Sequence, residues 1–263
     1  MVNEVLNSIY LGIVQGLTEF LPISSTAHMI FAEKFLQTKI FEDKIFETII
    51  QMGSLLALFI VRFTLFKKMI FTFHNNKVTQ KLISNLIIAF LPAGIIGAIF
   101  NNKIASINST VVMAYSLIVG GILFIIIDLL NIKPQTYDLN KIGIKQALGI
   151  GTLQLLAFIP GVSRSGATIA GGILIKLNRN IAVEFSFLLG FVTILAASVF
   201  KIYKNYYLLN YDNIMSISIG FITAFIVSLL VINISIKVIV KYGLKPFGVY
   251  RIILGLFFLN IIR

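Results

Sequence analysis

Two hydroxyl-rich segments hold most of the chemistry available to this chain. The first reads Gln15-Gly-Leu-Thr-Glu19-Phe-Leu-Pro22-Ile-Ser24-Ser25-Thr26-Ala-His28. The second reads Gln154-Leu-Leu-Ala-Phe158-Ile-Pro160-Gly161-Val-Ser163-Arg164-Ser165-Gly166-Ala-Thr168. Aligning Pro22 on Pro160 pairs Phe20 with Phe158 and Ser25 with Ser163. One copy holds a carboxylate and an imidazole, and the other holds a guanidinium. Hydroxyls, an acid, a base and a fixed cation are the parts needed to grip and cleave a phosphate ester.

Gln15 and Glu19 are four residues apart and share a face if the segment is helical. A carboxylate and an amide oxygen on one face suit a hard divalent cation such as Mg or Ca. The plainer alternative is that Glu19 caps a helix or pairs with a lysine. Ser24, Ser25 and Thr26 follow a proline, where helices start, and one of them serves as an ordinary N-cap. The same helix N-terminus offers N–H groups and a positive dipole end to an anion. His28 lies three residues past Ser25, so on a helix it is placed to take the serine proton. The other histidine, in His74-Asn-Asn-Lys, reads as solvated. Arg164 sits between Ser163 and Ser165, and its planar fork of donors matches phosphate oxygens. Gly161 and Gly166 let the backbone approach a ligand closely. Glu47 and Glu184 start apolar stretches and read as N-terminal helix carboxylates. Asp128, beside Asn131 and Lys133, reads as interfacial.

These groups lie in lipid-soluble sequence. The chain is 58% hydrophobic and 12% charged, with a mean hydropathy of +0.96. Soluble domains carry roughly 25% charged residues, so a soluble globule is excluded. Six stretches, about 47–63, 82–100, 111–130, 185–203, 214–233 and 247–262, are long and apolar enough to span a bilayer. Two more, about 5–31 and 145–177, are interrupted by Pro, Gly and Ser and read as re-entrant or broken helices. Irregular backbone at membrane depth survives only where protein buries it or a watery cavity borders it. The fold expected is therefore an all-α integral membrane protein with six spans and two broken helix pairs. No cysteine is present, which excludes disulfides and thiolate metal sites. The net charge of +12 resides in short loops and marks membrane lipids rather than nucleic acid as the partner.

Landmarks recur in order along the chain. Pro22 matches Pro160. Phe46-Glu47 with Gly53 matches Val183-Glu184 with Gly190, and Tyr115 to Gly120 matches Tyr250 to Gly255. Duplication divides one membrane domain into residues 1–131 and 132–263, each a broken segment followed by three spans. An odd number of spans inverts the second copy, and the two broken segments are expected to meet near the membrane middle. Alternating loops place Arg62, Lys67, Lys68, Lys77, Lys81, Lys133, Lys141, Lys145, Lys176, Arg179, Lys237, Lys241 and Lys245 on one side. That side should be cytoplasmic, which puts the termini and the first broken segment toward the outside.

The two Ser motifs resemble the signatures of the bacterial undecaprenyl-diphosphate phosphatase, or bacitracin-resistance protein, family. Phe46-Glu47-Thr-Ile-Ile-Gln51-Met-Gly53-Ser54, Glu184-Phe-Ser-Phe-Leu-Leu and Pro246-Phe-Gly-Val-Tyr250-Arg251 also resemble that family, so the likeness covers nearly the whole chain. The resemblance implies hydrolysis of undecaprenyl diphosphate to the monophosphate, the carrier lipid for wall polymers. It places the protein in the bacterial cytoplasmic membrane and implies dependence on a divalent cation. By motif match, Glu19, Ser25, His28 and Arg164 would form the catalytic core. Gln15, Ser24, Thr26, Gly161, Ser163, Ser165 and Thr168 would line the diphosphate site. With Gln15 in place of a second carboxylate, the metal would rest on Glu19 and diphosphate oxygens. Attack by Ser25, with His28 as base, and direct attack by water both stay open. So does the oligomeric state, a homodimer being one alternative. The competing class is a polyprenyl-phosphate flippase. Glu19 and His28 have no counterparts at Ala157 and Gly166, which favours chemistry over a symmetric grip.

Overall fold

The computed structural model describes residues 2–38, 44–106, 109–205 and 211–262. These form eleven α-helices: α1 (Val2–Thr18), α2 (Ser25–Leu36), α3 (Lys44–Val61), α4 (Phe63–Thr72), α5 (Lys77–Ser106), α6 (Thr110–Leu129), α7 (Ile144–Gln154), α8 (Arg164–Leu174), α9 (Arg179–Asn205), α10 (Tyr211–Tyr242) and α11 (Lys245–Ile262). No strand occurs among the described residues. Helix is the expected outcome, because a span in hydrocarbon must satisfy its backbone polar groups internally.

Helices α5 (over Lys77–Phe100), α6, α9 and α10 (over Ile214–Tyr242) are each long and apolar enough to cross a membrane. The first expected span, 47–63, is α3, which joins α4 through a 76° bend to make a fifth candidate. The bend falls at Arg62, whose φ of −107° and ψ of 20° leave the helical region. The sixth expected span, 247–262, is α11, which packs along α6. Ile222, Ile226, Leu230 and Ile234 form an outward apolar stripe on α10, while Ala224, Ser228, Ile232 and Ser235 are buried. An exposed apolar face of this kind is what lipid contact requires. The molecule is a multi-pass membrane protein.

Small residues set the helix contacts, as expected where lipid removes the hydrophobic drive for association. Gly12 and Gly16, four apart on α1, face α10. A Cβ on Gly12 would stand 2.7 Å from the Gly220 carbonyl oxygen, and one on Gly16 would stand 2.9 Å from that of Ala224. Gly121 of α6 and Gly248 of α11 meet in the same way, at 2.5 and 2.6 Å from each other's carbonyl oxygens.

At one end of the bundle, Asp128 does more than sit at an interface. Its side chain is nearly buried, accepts from the Leu244 and Lys245 backbone N–H groups at 2.6 and 2.7 Å, and pairs with Arg179 at 3.0 Å. It therefore caps α11 and ties the ends of α6, α9 and α11. Glu184 pairs with Arg62 at 2.7 Å, and Glu47 faces Lys201 at 3.7 Å.

The two interrupted stretches are helical hairpins. Segment 5–31 is α1, a short turn and α2. Segment 145–177 is α7, a 3₁₀ turn over Leu155–Phe158, a loop and α8. The two α-helices within each hairpin pack together.

Candidate active site

Both hairpin turns end in the same local structure. Ser24 and Ser163 each take a left-handed φ, 72° and 73°, and each caps the helix that follows. The Ser24 Oγ accepts from the Ala27 N–H at 3.3 Å, and the Ser163 Oγ accepts from the Gly166 N–H at 3.1 Å. Left-handed backbone in a non-glycine residue is uncommon and costs energy, so the pairing is specific. It corrects the proline alignment by one residue. Ser24, not Ser25, is the partner of Ser163, and Ser25 matches Arg164. The physical reason is that one residue separates Pro22 from its cap, whereas Gly161 and Val162 separate Pro160 from its cap. Gly161 absorbs the extra residue at a φ of 94°.

Ser25 and Arg164 thus each occupy the first position of their helix, and both turn to one carboxylate. Arg164 Nη2 donates to Glu19 Oε1 at 3.0 Å, and Ser25 Oγ donates to Glu19 Oε2 at 3.0 Å. Glu19 is 5% exposed and lies in the first turn, where its N–H still bonds to the Gln15 carbonyl. The Gln15 amide donates to Oε2 at 2.8 Å. Arg164 also donates to the Ser186 carbonyl at 3.2 Å. Gly190 of α9 makes room for that guanidinium, since a Cβ there would overlap it. The Ser165 hydroxyl bridges the turns by donating to the Leu21 carbonyl at 3.1 Å.

These groups border a cavity of about 210 Å³. Glu19, Ser24, Ser25, Thr26, Gly161, Ser163, Arg164 and Ser165 line it, as do Gln51, Gln154 and Thr193. Three residues expected in the site do not line it. Gln15 stands behind Glu19. Thr168 is fully buried, with its hydroxyl on the Arg164 and Ser165 carbonyls and on Ser186, where it packs α8 against α9.

His28 is the third, and its expected pairing with Ser25 is not formed. Its Nδ1 meets the Ser24 carbonyl at 2.8 Å, and its Nε2 meets the Tyr250 hydroxyl at 2.7 Å. A carbonyl only accepts, so in neutral His28 the proton sits on Nδ1 and the Nε2 lone pair accepts from Tyr250. The base within reach of Ser25 is Glu19. A serine hydroxyl on a carboxylate, with a guanidinium beside it, is an arrangement for activating a nucleophile against a bound phosphate.

A divalent cation fits only in a shared mode. Among the described residues, Glu19 is the only carboxylate lining the cavity, and no cluster of three or more His, Asp or Glu suited to a metal occurs. One carboxylate plus phosphate oxygens is nonetheless the usual way Mg²⁺ is held.

Sequence reasoning missed Gln51, Gln154 and Thr193. The two glutamines carried a signal, as polar residues within apolar stretches. Arg251 was visible as an intramembrane cation, but its place was not. It is fully buried, and its guanidinium touches both turns.

The family described as "Bacitracin resistance protein BacA" matches residues 8–257. An undecaprenyl-diphosphatase of Campylobacter jejuni subsp. jejuni is 45% identical over 260 residues, covering 97% of this chain and 93% of the relative. The undecaprenyl-diphosphatase of Persephonella marina is 42% identical over 97% of this chain and 98% of its own. That of Wolinella succinogenes is 40% identical over 97% of both. Matched by the family over residues 8–257 and by these relatives over 97% of its length, this chain belongs to the BacA bacitracin-resistance family.

Proposed function

We propose that this protein hydrolyses undecaprenyl diphosphate to undecaprenyl phosphate and inorganic phosphate. It thereby recycles the lipid carrier of peptidoglycan synthesis and confers bacitracin resistance. The observation that carries this reading is the meeting of Ser25 and Arg164 on Glu19, at a cavity inside a membrane protein. Arg164 and the starts of α2 and α8 hold the diphosphate and offset the charge that builds on the transferred phosphoryl group. Ser25 Oγ attacks the terminal phosphorus as its proton passes to Glu19. The bond to the bridging oxygen breaks, and undecaprenyl phosphate leaves. Water then hydrolyses the phosphoserine, which releases phosphate and restores the serine. His28, held by Ser24 and Tyr250, orients the first turn of α2.

An apolar cavity of about 340 Å³ adjoins the polar one and shares Ala93, Phe158, Thr193 and Ala197 with it. It suits the first isoprene units of the lipid, with the rest of the tail in the bilayer. Glu19, the amide oxygens of Gln51 and Gln154 and the diphosphate itself would hold a Mg²⁺ or Ca²⁺ ion. Such an ion supplies charge neutralisation on the phosphates.

We further read the protein as resident in the bacterial cytoplasmic membrane, with its site open to the outer face, on the charge asymmetry of its loops. We also read it as a duplicated, inverted pair of units. The matching left-handed cap serines of the two turns support that duplication.

The test is phosphate release from undecaprenyl diphosphate by the purified protein in detergent, beside Arg164→Ala. Release that the substitution abolishes is the expected result. No release from a well-folded, cation-supplied wild type would overturn the reading.

A further inference from the structure

Arg251 of α11 is fully buried, and no ion pair with it occurs among the described residues. Burying a cation in a membrane protein without a counter-ion is expensive, so its surroundings must offset that cost. They do so with carbonyl oxygens. Nη1 donates to the Val162 oxygen at 2.8 Å and to the Pro22 oxygen at 3.3 Å. Nη2 donates to the Gly161 oxygen at 3.0 Å and to the Ser116 oxygen at 3.2 Å. The Phe124 ring centre lies 5.0 Å from its Cζ.

Three of these four carbonyls belong to the two hairpin turns. Pro22 lies two residues before the cap Ser24, and Gly161 and Val162 immediately precede the cap Ser163. One rigid, planar side chain therefore grips both turns just upstream of Ser25 and Arg164. The peptide is planar and trans, so a carbonyl aimed at Arg251 sends the next N–H the opposite way. The Val162 carbonyl on Arg251 thus turns the Ser163 N–H away from it. The grip also keeps three carbonyl oxygens, which would repel a diphosphate, occupied on a cation. Gly120 of α6 makes the space, because a Cβ there would overlap the Arg251 guanidinium.

We infer that Arg251 is a positioning residue that clamps the two turns by their carbonyl oxygens and so sets Ser25 against Arg164 across Glu19. This rests on the phosphatase reading for its consequence, but the clamp itself can be measured without turnover. The chain has no cysteine, so spin labels can be placed singly at Phe35 on α2 and Leu174 on α8. Both are exposed, at 79% and 41%, and neither lines the polar cavity. Pulsed electron–electron resonance on the labelled protein should give a narrow distance distribution.

Arg251→Gln, which removes the charge and the fork, should broaden or shift that distribution. It should lower kcat on the order of 10²-fold with KM within about threefold, the pattern expected when reacting groups are misplaced but the ligand still binds. Arg251→Lys keeps the charge without the fork and should recover part of the loss. Gly120→Ala leaves Arg251 in the chain but forces its guanidinium off the turns, and should reproduce the Gln variant. It also serves as the deciding variant should Arg251→Gln fail to fold. Unchanged distances in either folded variant, or wild-type kcat in both, would overturn the clamp. If the wild type releases no phosphate, the phosphatase reading falls while the label distances still decide the clamp.

Discussion

Substituting Glu19 by Gln tests the centre of the site, because Ser25 and Arg164 meet at that carboxylate. Its two oxygens accept from Gln15, Ser25 and Arg164 at 2.8, 3.0 and 3.0 Å, and the side chain is almost wholly buried. An amide of the same shape keeps one oxygen and replaces the other with a donor. If the amide nitrogen falls at Oε1 it confronts Arg164, donor to donor. If it falls at Oε2 it confronts Ser25 and Gln15. Either way at least one charge-assisted hydrogen bond is lost, worth about 1.5–3 kcal/mol, and Arg164 loses its counter-charge, a break that costs about 3–5 kcal/mol when a pair is buried. Separately, the proton acceptor for Ser25 disappears. General-base assistance contributes roughly 10²–10⁴-fold, or about 3–5 kcal/mol of barrier. The assay is kcat and KM for phosphate release from undecaprenyl diphosphate, with a thermal melt in the same detergent. Expected is a melt lowered by several degrees and a kcat lowered at least 10²-fold in protein that is still folded. A Glu19→Gln protein turning over within tenfold of wild type would refute Glu19 as the base and return that role to His28, after release of its bond to Tyr250.

Four further outcomes follow from named contacts. Ser25→Ala should lower kcat by at least about 10³-fold if the serine is the nucleophile; near-normal turnover would eliminate the covalent route in favour of direct attack by water. Gly190→Ala should push Arg164 off Glu19 and the Ser186 carbonyl and lower kcat/KM on the order of 10²-fold, measured beside a wild-type melt. Asp128→Asn should weaken the cap of α11 and the Arg179 pair and lower stability by about 1–3 kcal/mol. Turnover per folded molecule should stay unchanged, because Asp128 lies outside the site. Chelation with EDTA should suppress turnover and added Mg²⁺ or Ca²⁺ should restore it; activity indifferent to both would remove the cation from the mechanism.

The parts of this site that could be read from sequence are those whose burial is expensive. Glu19 and Arg164 stood out because charges rarely enter apolar sequence without a partner, and the structure joins them at 3.0 Å. The broken helices were legible for a related reason, since Pro, Gly and Ser interrupt stretches that would otherwise span. What was not legible depends on distant chain. The spacing of Ser25 and His28 is right for contact on an isolated helix, but Tyr250, more than two hundred residues away, holds the imidazole. Arg251 likewise reveals its purpose only when both turns and α6 are folded around it. The expected span 47–63 gave no sign of the 76° bend at Arg62 that leads into α4.

The register of the two turns shows how a local rule can mislead and then be repaired. Prolines align by eye, but the cap serines fix where each helix begins, and the extra Gly161 lengthens the second turn by one residue. With the caps matched, Gln15 falls on Gln154, Glu19 on Phe158 and His28 on Ala167. The halves therefore share a glutamine, a left-handed cap and a helix start, while only the first supplies an acid. At the shared first helical position one half places a hydroxyl and the other a guanidinium, and both are held by that single acid. A site that gripped phosphate alternately from two sides would need equivalent groups on each. In the proposed reaction the nucleophile and its base come from one turn and the charge that holds the phosphate comes from the other, so neither half has a complete site. That division of labour is what a hydrolase requires, and it explains why both turns must be fixed to a common point such as Arg251.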